Sequence, residues 1–235
     1  MNIILFSEGE DILRKGDPRS DHIRRVLKLK AGDSFRAGFI NGMQGMALIE
    51  AMDDDEIRLS FAFNEDGSAL YPITMIIAQV RPICMKRILR EAVSLGVGKL
   101  ILPVSDLGEK SYLSSSLYQK GEYKDILLDG AMQAGFTGIP ETDLTPSLDA
   151  AIAIDKSDMK IMLDNVIGSV PLSSLSLSGR KVSLAVGPER GWSSRERSLL
   201  LSSGYRPCLL GARILRTETA AGCSAAVALS RMGIL

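Results

Sequence analysis

Residues 181–229 read KVSLAVGPERGWSSRERSLLLSSGYRPCLLGARILRTETAAGCSAAVAL, and this stretch decides the fold. Two apolar runs, 182–186 and 205–210, each end in a glycine-bearing turn, and each turn opens into a helical pattern. Ser193 stands three residues ahead of Glu196, the spacing of a capping box, so a helix is predicted to start at Ser194 and to end just before Gly204. The second turn carries Arg213, Arg216, Thr217, Glu218 and Thr219 within seven residues. It runs into a helix of small residues, Ala220, Ala221, Gly222, Ser224, Ala225 and Ala226. Read as tight turns, the loops say nothing more. So much polarity between two buried elements, however, points to a loop that faces a ligand. Polar loops at the carboxyl ends of adjacent parallel strands are where open α/β sheets bind one.

The rest of the chain alternates in two styles. Residues 3–6 read as a strand and 21–27 as a short helix, followed by β-patterned runs at 34–40, 45–51 and 57–63 separated by Asn41-Gly42 and by Asp53-Asp54-Asp55. That predicts a small antiparallel barrel over residues 1–70. Near Tyr71 the period changes to strand and helix in alternation. Strands are expected at 73–80, 99–104 and 160–163, and helices at 85–95, 113–134 and 148–154, which makes 71–235 an α/β domain with a mostly parallel sheet and flanking helices.

Composition narrows the function. The chain has 235 residues, 46% of them apolar, with zero formal net charge, an ordinary composition for a soluble protein. No apolar run reaches membrane-spanning length, and the amino terminus has no signal-like pattern, so a cytoplasmic location without membrane association is expected. The three cysteines, Cys84, Cys208 and Cys223, form no CxxC pair, so neither a metal site nor a disulfide framework is expected and buried thiols are. Seven basic residues lie between Arg14 and Lys30 against Asp17 and Asp21. This basic patch reads as an RNA-contacting surface through His22, Arg24, Arg25 and Lys28, or alternatively as a solvated helix face. Neither a GxGxxG after the first parallel strand nor a GxxxxGK[ST] is present, so the nucleotide-binding α/β classes are disfavoured.

On GPERGWS and LGARILRTETA, supported by HIRRVLKLKAGD near the amino terminus, the chain resembles the RsmE family of SPOUT RNA methyltransferases over essentially its whole length. The resemblance implies a deep trefoil knot in the carboxy-terminal domain and a PUA-like barrel before it. It also implies S-adenosylmethionine as methyl donor, N3 of a uridine in 16S rRNA of the small ribosomal subunit as acceptor, and a homodimer. It places the donor pocket at Leu163, Gly187, Glu189, Gly191, Leu210, Gly211, Ile214, Leu215 and Thr219.

Deprotonating uracil N3 leaves negative charge beside two carbonyls, so Arg216 is the candidate catalytic cation and Glu218 its partner or the proton acceptor. The other reading of that pair is a structural ion pair closing the loop. Some positions depart from the family pattern. Arg190 and Trp192 stand where Gly and Phe are commoner, and the helix segments around Glu91, Ser94, Met132 and Phe136 differ on the acceptor side. Two alternatives therefore stand beside the first reading: a methyltransferase acting on another RNA, and a non-catalytic rRNA-binding assembly factor.

Overall fold

A computed structural model describes residues 2–235. The chain forms two compact units, one comprising the chain up to Ala69 together with Leu128–Ile139, the other Leu70–Leu127 with Pro140–Leu235.

In the first unit, β1 (Ile4–Phe6), β2 (Ile12–Arg14), α1 (Pro18–Asp21), a π-helical turn (His22–Leu27), β3 (Ser34–Phe39), β4 (Met43–Met52) and β5 (Glu56–Asp66) follow in order. The sheet order is β1-β3-β4-β5-β2. All its pairs are antiparallel except β1 with β3, and β1 and β2 are its edges. The expected small barrel is a mixed, half-barrel sheet with one parallel pair, and β2 is an element the sequence pattern did not reveal. Phe6, Phe35, Phe39, Phe61 and Phe63 cluster on its buried face, with Phe39 and Phe63 edge to face at 4.8 Å. Asn41 takes the left-handed conformation that the tight Asn-Gly turn demands, at φ 56°. Its side-chain oxygen accepts the Ile139 N–H at 2.7 Å. Thr137, fully buried, donates to the Gly42 carbonyl, so residues 128–139 are built into this unit although they lie far along the chain.

Arg19 organises the unit's other end. Its guanidinium donates to Asp17, Glu10 and the Leu5 carbonyl and lies 5.1 Å from the Phe6 ring centroid.

The second unit holds β6 (Tyr71–Ile77), α2 (Pro82–Ser94), β7 (Val97–Pro103), α3 (Ser116–Gln119), the start of α4 (Glu122–Ala134), β8 (Glu141–Thr145), α5 (Leu148–Ile154), β9 (Met159–Leu163), β10 (Val170–Pro171), β11 (Val182–Val186), α6 (Ser194–Ser202), β12 (Arg206–Leu209) and α7 (Thr217–Met232). Its seven strands are ordered β10-β12-β9-β11-β6-β7-β8, and every pair is parallel. All five residues of β11 are buried, as a strand covered on both faces requires. Successive residues of β6 serve opposite faces. Ile76 joins the core formed with Leu148, Ala151 and Leu200 of α5 and α6, and Met75 lies with Ile88 and Ala92 of α2 and Ala221 and Ala225 of α7.

Three expectations change here. The strands that carry the two glycine loops, β11 and β12, are not adjacent, because β9 is hydrogen-bonded between them. The single helix expected over 113–134 is broken at Gly121, whose φ of 71° ends α3 before α4 begins. Of the cysteines, Cys208 is buried but Cys223 is exposed. No helix among the described residues is long and apolar enough to cross a membrane.

The Arg19 cluster gives a stability test. Hydrogen bonds from Arg19 hold the carboxyls of Glu10 and Asp17 below their ordinary values. Their contribution is therefore fully present above about pH 4.5 and is lost as pH falls through the lowered folded-state values. Arg19→Met keeps the apolar stem over Phe6 and is expected to cost about 2–3 kcal/mol at pH 7. In urea unfolding, the gap to the native protein should shrink at pH 3, and an undiminished gap there would assign the loss to packing instead.

Candidate active site

At the carboxyl ends of β6, β7, β9, β11 and β12 the second unit opens into a cavity of about 1040 Å³. The loop after β11, Gly187 to Trp192, forms one wall. Gly187 is there because of close approach: a Cβ would lie 3.2 Å from the Trp192 nitrogen and 3.3 Å from its ring. Gly191 needs its lack of a side chain for conformation, at φ 70°. Trp192 turns inward, 1% exposed, into the core beneath the loop. Glu189 points the other way, and its carboxylate accepts the Arg81 N–H at 3.1 Å.

The helix after this loop begins as predicted. Ser193 caps α6 in a complete capping box, its hydroxyl accepting the Glu196 N–H while the Glu196 carboxylate accepts the Ser193 N–H. The second oxygen of Glu196 accepts the Asp106 N–H at 2.9 Å, which fastens the loop after β7 to the start of α6. Asp106 in turn accepts from Ser193 Oγ and from Arg195, which hold its carboxyl below the usual range, Arg195 contributing most.

The loop after β12 forms the opposite wall. Gly211 sits at φ 135°, with no atom near where a Cβ would point, so its constraint is conformational. Leu163, Leu210, Ile214 and Leu215 give the cavity its apolar lining. Ile214 is 84% exposed. Eight of the nine residues that the resemblance assigns to the donor pocket line this one cavity. The ninth, Thr219, is an exposed residue in the first turn of α7, outside the lining, and its neighbour Thr217 lines the cavity in its place.

Arg216 and Glu218 both line the cavity but do not pair. Arg216 is the exposed N-cap residue of α7, and no partner to its guanidinium is found among the described residues. The Glu218 carboxylate, 14% exposed, lies 3.9 Å from Arg87 of α2. It also faces Cys84 and Glu91. Burial first and the Glu218 charge second push both the Cys84 thiol and the Glu91 carboxyl up. The structural ion pair closing the loop is therefore absent, and Arg216 is free for a ligand.

Several cavity residues went unread in the sequence. Asp164 follows β9, accepts the Val166 and Ile167 N–H groups, and takes Arg197 Nε at 2.7 Å with its side chain 1% exposed. Arg81 follows β6 and donates to Tyr112 Oη at 3.3 Å. Each stands just past the carboxyl end of a parallel strand, and that position was the available signal.

The predicted RNA-contacting residues lie in the first unit and are not equivalent. Arg24 is engaged, donating to Ser20 Oγ and to the Asp53 and Glu56 carbonyls of the β4–β5 turn. His22 ends α1, and its Nε2 is buried without a hydrogen-bond partner among the described residues, with burial holding its pKa down. Arg25 is exposed with a loose contact to Asp21 at 3.5 Å, and Lys28 is exposed in the left-handed conformation that ends the π-helical turn.

Residues 67–230 match the RNA methyltransferase domain family. A protein of Treponema pallidum named "Ribosomal RNA small subunit methyltransferase E" is 38% identical over 98% of this chain and 91% of its own length. A Legionella pneumophila structure described as a putative methyltransferase in complex with SAM superposes at a TM-score of 0.82, with 21% identity, covering 98% of this chain and 97% of that one. A ribosomal RNA small subunit methyltransferase E from Neisseria gonorrhoeae, bound to S-adenosyl methionine, superposes at 0.79 with 20% identity over 98% and 97% of the two chains. Those two likenesses establish the fold. The family match and the Treponema relative go further: this chain belongs to the ribosomal RNA small subunit methyltransferase E family of RNA methyltransferases.

Proposed function

We propose that this protein methylates N3 of a uridine in 16S rRNA, using S-adenosylmethionine bound in the cavity of the second unit. The observation that carries the reading is the convergence of both glycine loops and Arg216 on a single cavity large enough for a nucleoside-sized ligand. The residues present suit the donor. Gly187 and Gly191 bring backbone close to the cavity, Gly211 allows the second loop its conformation, and Leu163, Leu210, Ile214 and Leu215 offer apolar contact. Glu189 is assigned a supporting place in the first loop, and Thr217, which lines the cavity where Thr219 does not, the corresponding place after the second. When bound, the donor supplies an electrophilic methyl group.

The chain's own residues do the rest. Arg216 is the cation that stabilises charge on the uracil ring as N3 loses its proton, its planar fork donating to a flanking carbonyl oxygen that shares the charge and leaving the N3 lone pair open to the methyl group. Glu218, half-withdrawn beside Arg87, is the proton acceptor in this reading. Residues 1–70 serve as the RNA-binding domain, with Arg25 and Lys28 contacting phosphates while Arg24 and His22 shape the turn that presents them. Residues 71–235 carry methyl transfer on a knotted chain, as the family does. The protein works as a homodimer on the small ribosomal subunit, in the cytoplasm. Of the alternatives, methylation of another RNA is decided by mapping the modified nucleotide, and an assembly factor without turnover is decided by methyl incorporation.

Three outcomes test this reading. Gly211→Val places a β-branched residue where φ is 135° and should abolish binding of S-adenosylhomocysteine in titration calorimetry while the circular dichroism spectrum stays native. Arg216→Lys should lower single-turnover methylation of undermethylated small subunits by roughly 10² to 10³, about 2.7–4 kcal/mol, with donor affinity unchanged. A normal rate removes Arg216 from the chemistry. Light scattering at micromolar concentration should give twice the chain mass, and a monomer mass would overturn the homodimer.

A further inference from the structure

The acids and bases lining the cavity are treated differently by the fold. Glu189 is held by the Arg81 N–H, Asp164 by Arg197, Asp106 by Ser193 and Arg195, and Glu218 lies beside Arg87. Only Glu109, exposed at the rim, has no such partner among the described residues. The arginines divide the other way. Arg81 and Arg197 are engaged, but Arg190, Arg213 and Arg216 line the cavity, are exposed, and have no side-chain partner among the described residues.

An exposed arginine alone says little. Three of them on two loops around one concave site, where most of the acids are already neutralised, leave a local positive excess in a chain of zero net charge. A cleft bordered by one sign of charge focuses field on an incoming ion of the other sign. The two loops place the arginines on facing walls. Arg190 stands between Glu189, anchored to Arg81, and Gly191, locked at φ 70°. Arg213 follows Gly211 on the opposite wall.

We propose that Arg190 and Arg213 form a two-sided clamp for the RNA backbone phosphates that flank the target nucleotide. Guanidinium forks match phosphate oxygens bidentately. A base drawn out of its strand into the cavity brings its two neighbouring phosphates to the rim, one toward each loop. The clamp leaves Arg216 to the base itself. It rests on the reading of this cavity as the methyl-transfer site, and it assigns Arg190, one of the chain's departures from its family, a role in gripping substrate.

The competing anion is the carboxylate of the methyl donor, and the two make opposite predictions. Binding of a 16S rRNA transcript is measured over a range of salt for the native protein, Arg190→Gln, Arg213→Gln, the double variant and Arg190→Lys, with S-adenosylhomocysteine affinity measured on the same preparations. The clamp predicts that the log–log salt slope falls by about 1.4 in the double variant, at roughly 0.7 per single-strand phosphate, that Arg190→Lys keeps the native slope, and that S-adenosylhomocysteine affinity is unchanged throughout. An unchanged slope in the double variant overturns it. So does a tenfold loss of S-adenosylhomocysteine affinity without a change in slope, which would give the arginines to the donor. Failure of the native protein to bind S-adenosylhomocysteine would overturn the methyl-transfer reading, while the salt slopes still judge the clamp.

Discussion

Glu196 has no access to water, and a buried carboxylate is tolerated only where donors replace its hydration. It finds them in the Ser193 and Asp106 backbone N–H groups, at 2.8 and 2.9 Å, one on each carboxylate oxygen. That single group fixes the start of α6, hence the loop that precedes it, and the loop after β7. Two residues on either side add the rest. Arg195 reaches Asp106 and Asp149, and Arg197 reaches the buried Asp164 after β9. One nine-residue helix therefore ties three of the walls of the cavity, through charged groups on one side and through Leu200 in the core on the other. The cavity's shape is thus set largely by charges that satisfy one another.

Much of this was legible in residues 181–229. The capping box, the two glycine turns and the small-residue helix are local features, decided by residues within a few positions of one another, and each stands where the spacing placed it. What stayed hidden is non-local. Nothing in the sequence says that β9 lies between β11 and β12, because strand order depends on which apolar runs pair, and all of them look alike. β8, with the pattern Glu-Thr-Asp-Leu-Thr, has one buried residue, a threonine, at the sheet edge and gives almost no hydrophobic signal. Residues 128–134 continue the helical pattern that precedes them, so the membership of 128–139 in the first unit emerges only from partners more than ninety positions away, such as Thr137 with Gly42. The ion pair of Asp164 with Arg197 belongs to the same class.

The basic turn shows how a charge count misleads at the level of single residues. Arg24 and Arg25 are neighbours with the same chemistry, yet the first spends its donors on two backbone carbonyls across the β4–β5 turn and the second is left in solvent. A guanidinium already hydrogen-bonded to two turn carbonyls and a serine hydroxyl has fewer donors left for phosphate. Of the two arginines, only Arg25, with Lys28 beyond it at the exposed end of the turn, is left in solvent.

Arg190 and Trp192 flank the same glycine, but they point in opposite directions. Arg190 is at the rim, and Trp192 is packed beneath the loop against the core of α5 and α6. Trp192 gains apolar contact over a smaller ring, at the cost of an indole N–H buried without a partner among the described residues. Gly187 keeps open the space its ring needs. The inward change repacks the floor, and the outward one adds charge to the mouth. Neither alters the glycine backbone between them, so the loop can vary what it grips without disturbing the conformation that shapes the cavity.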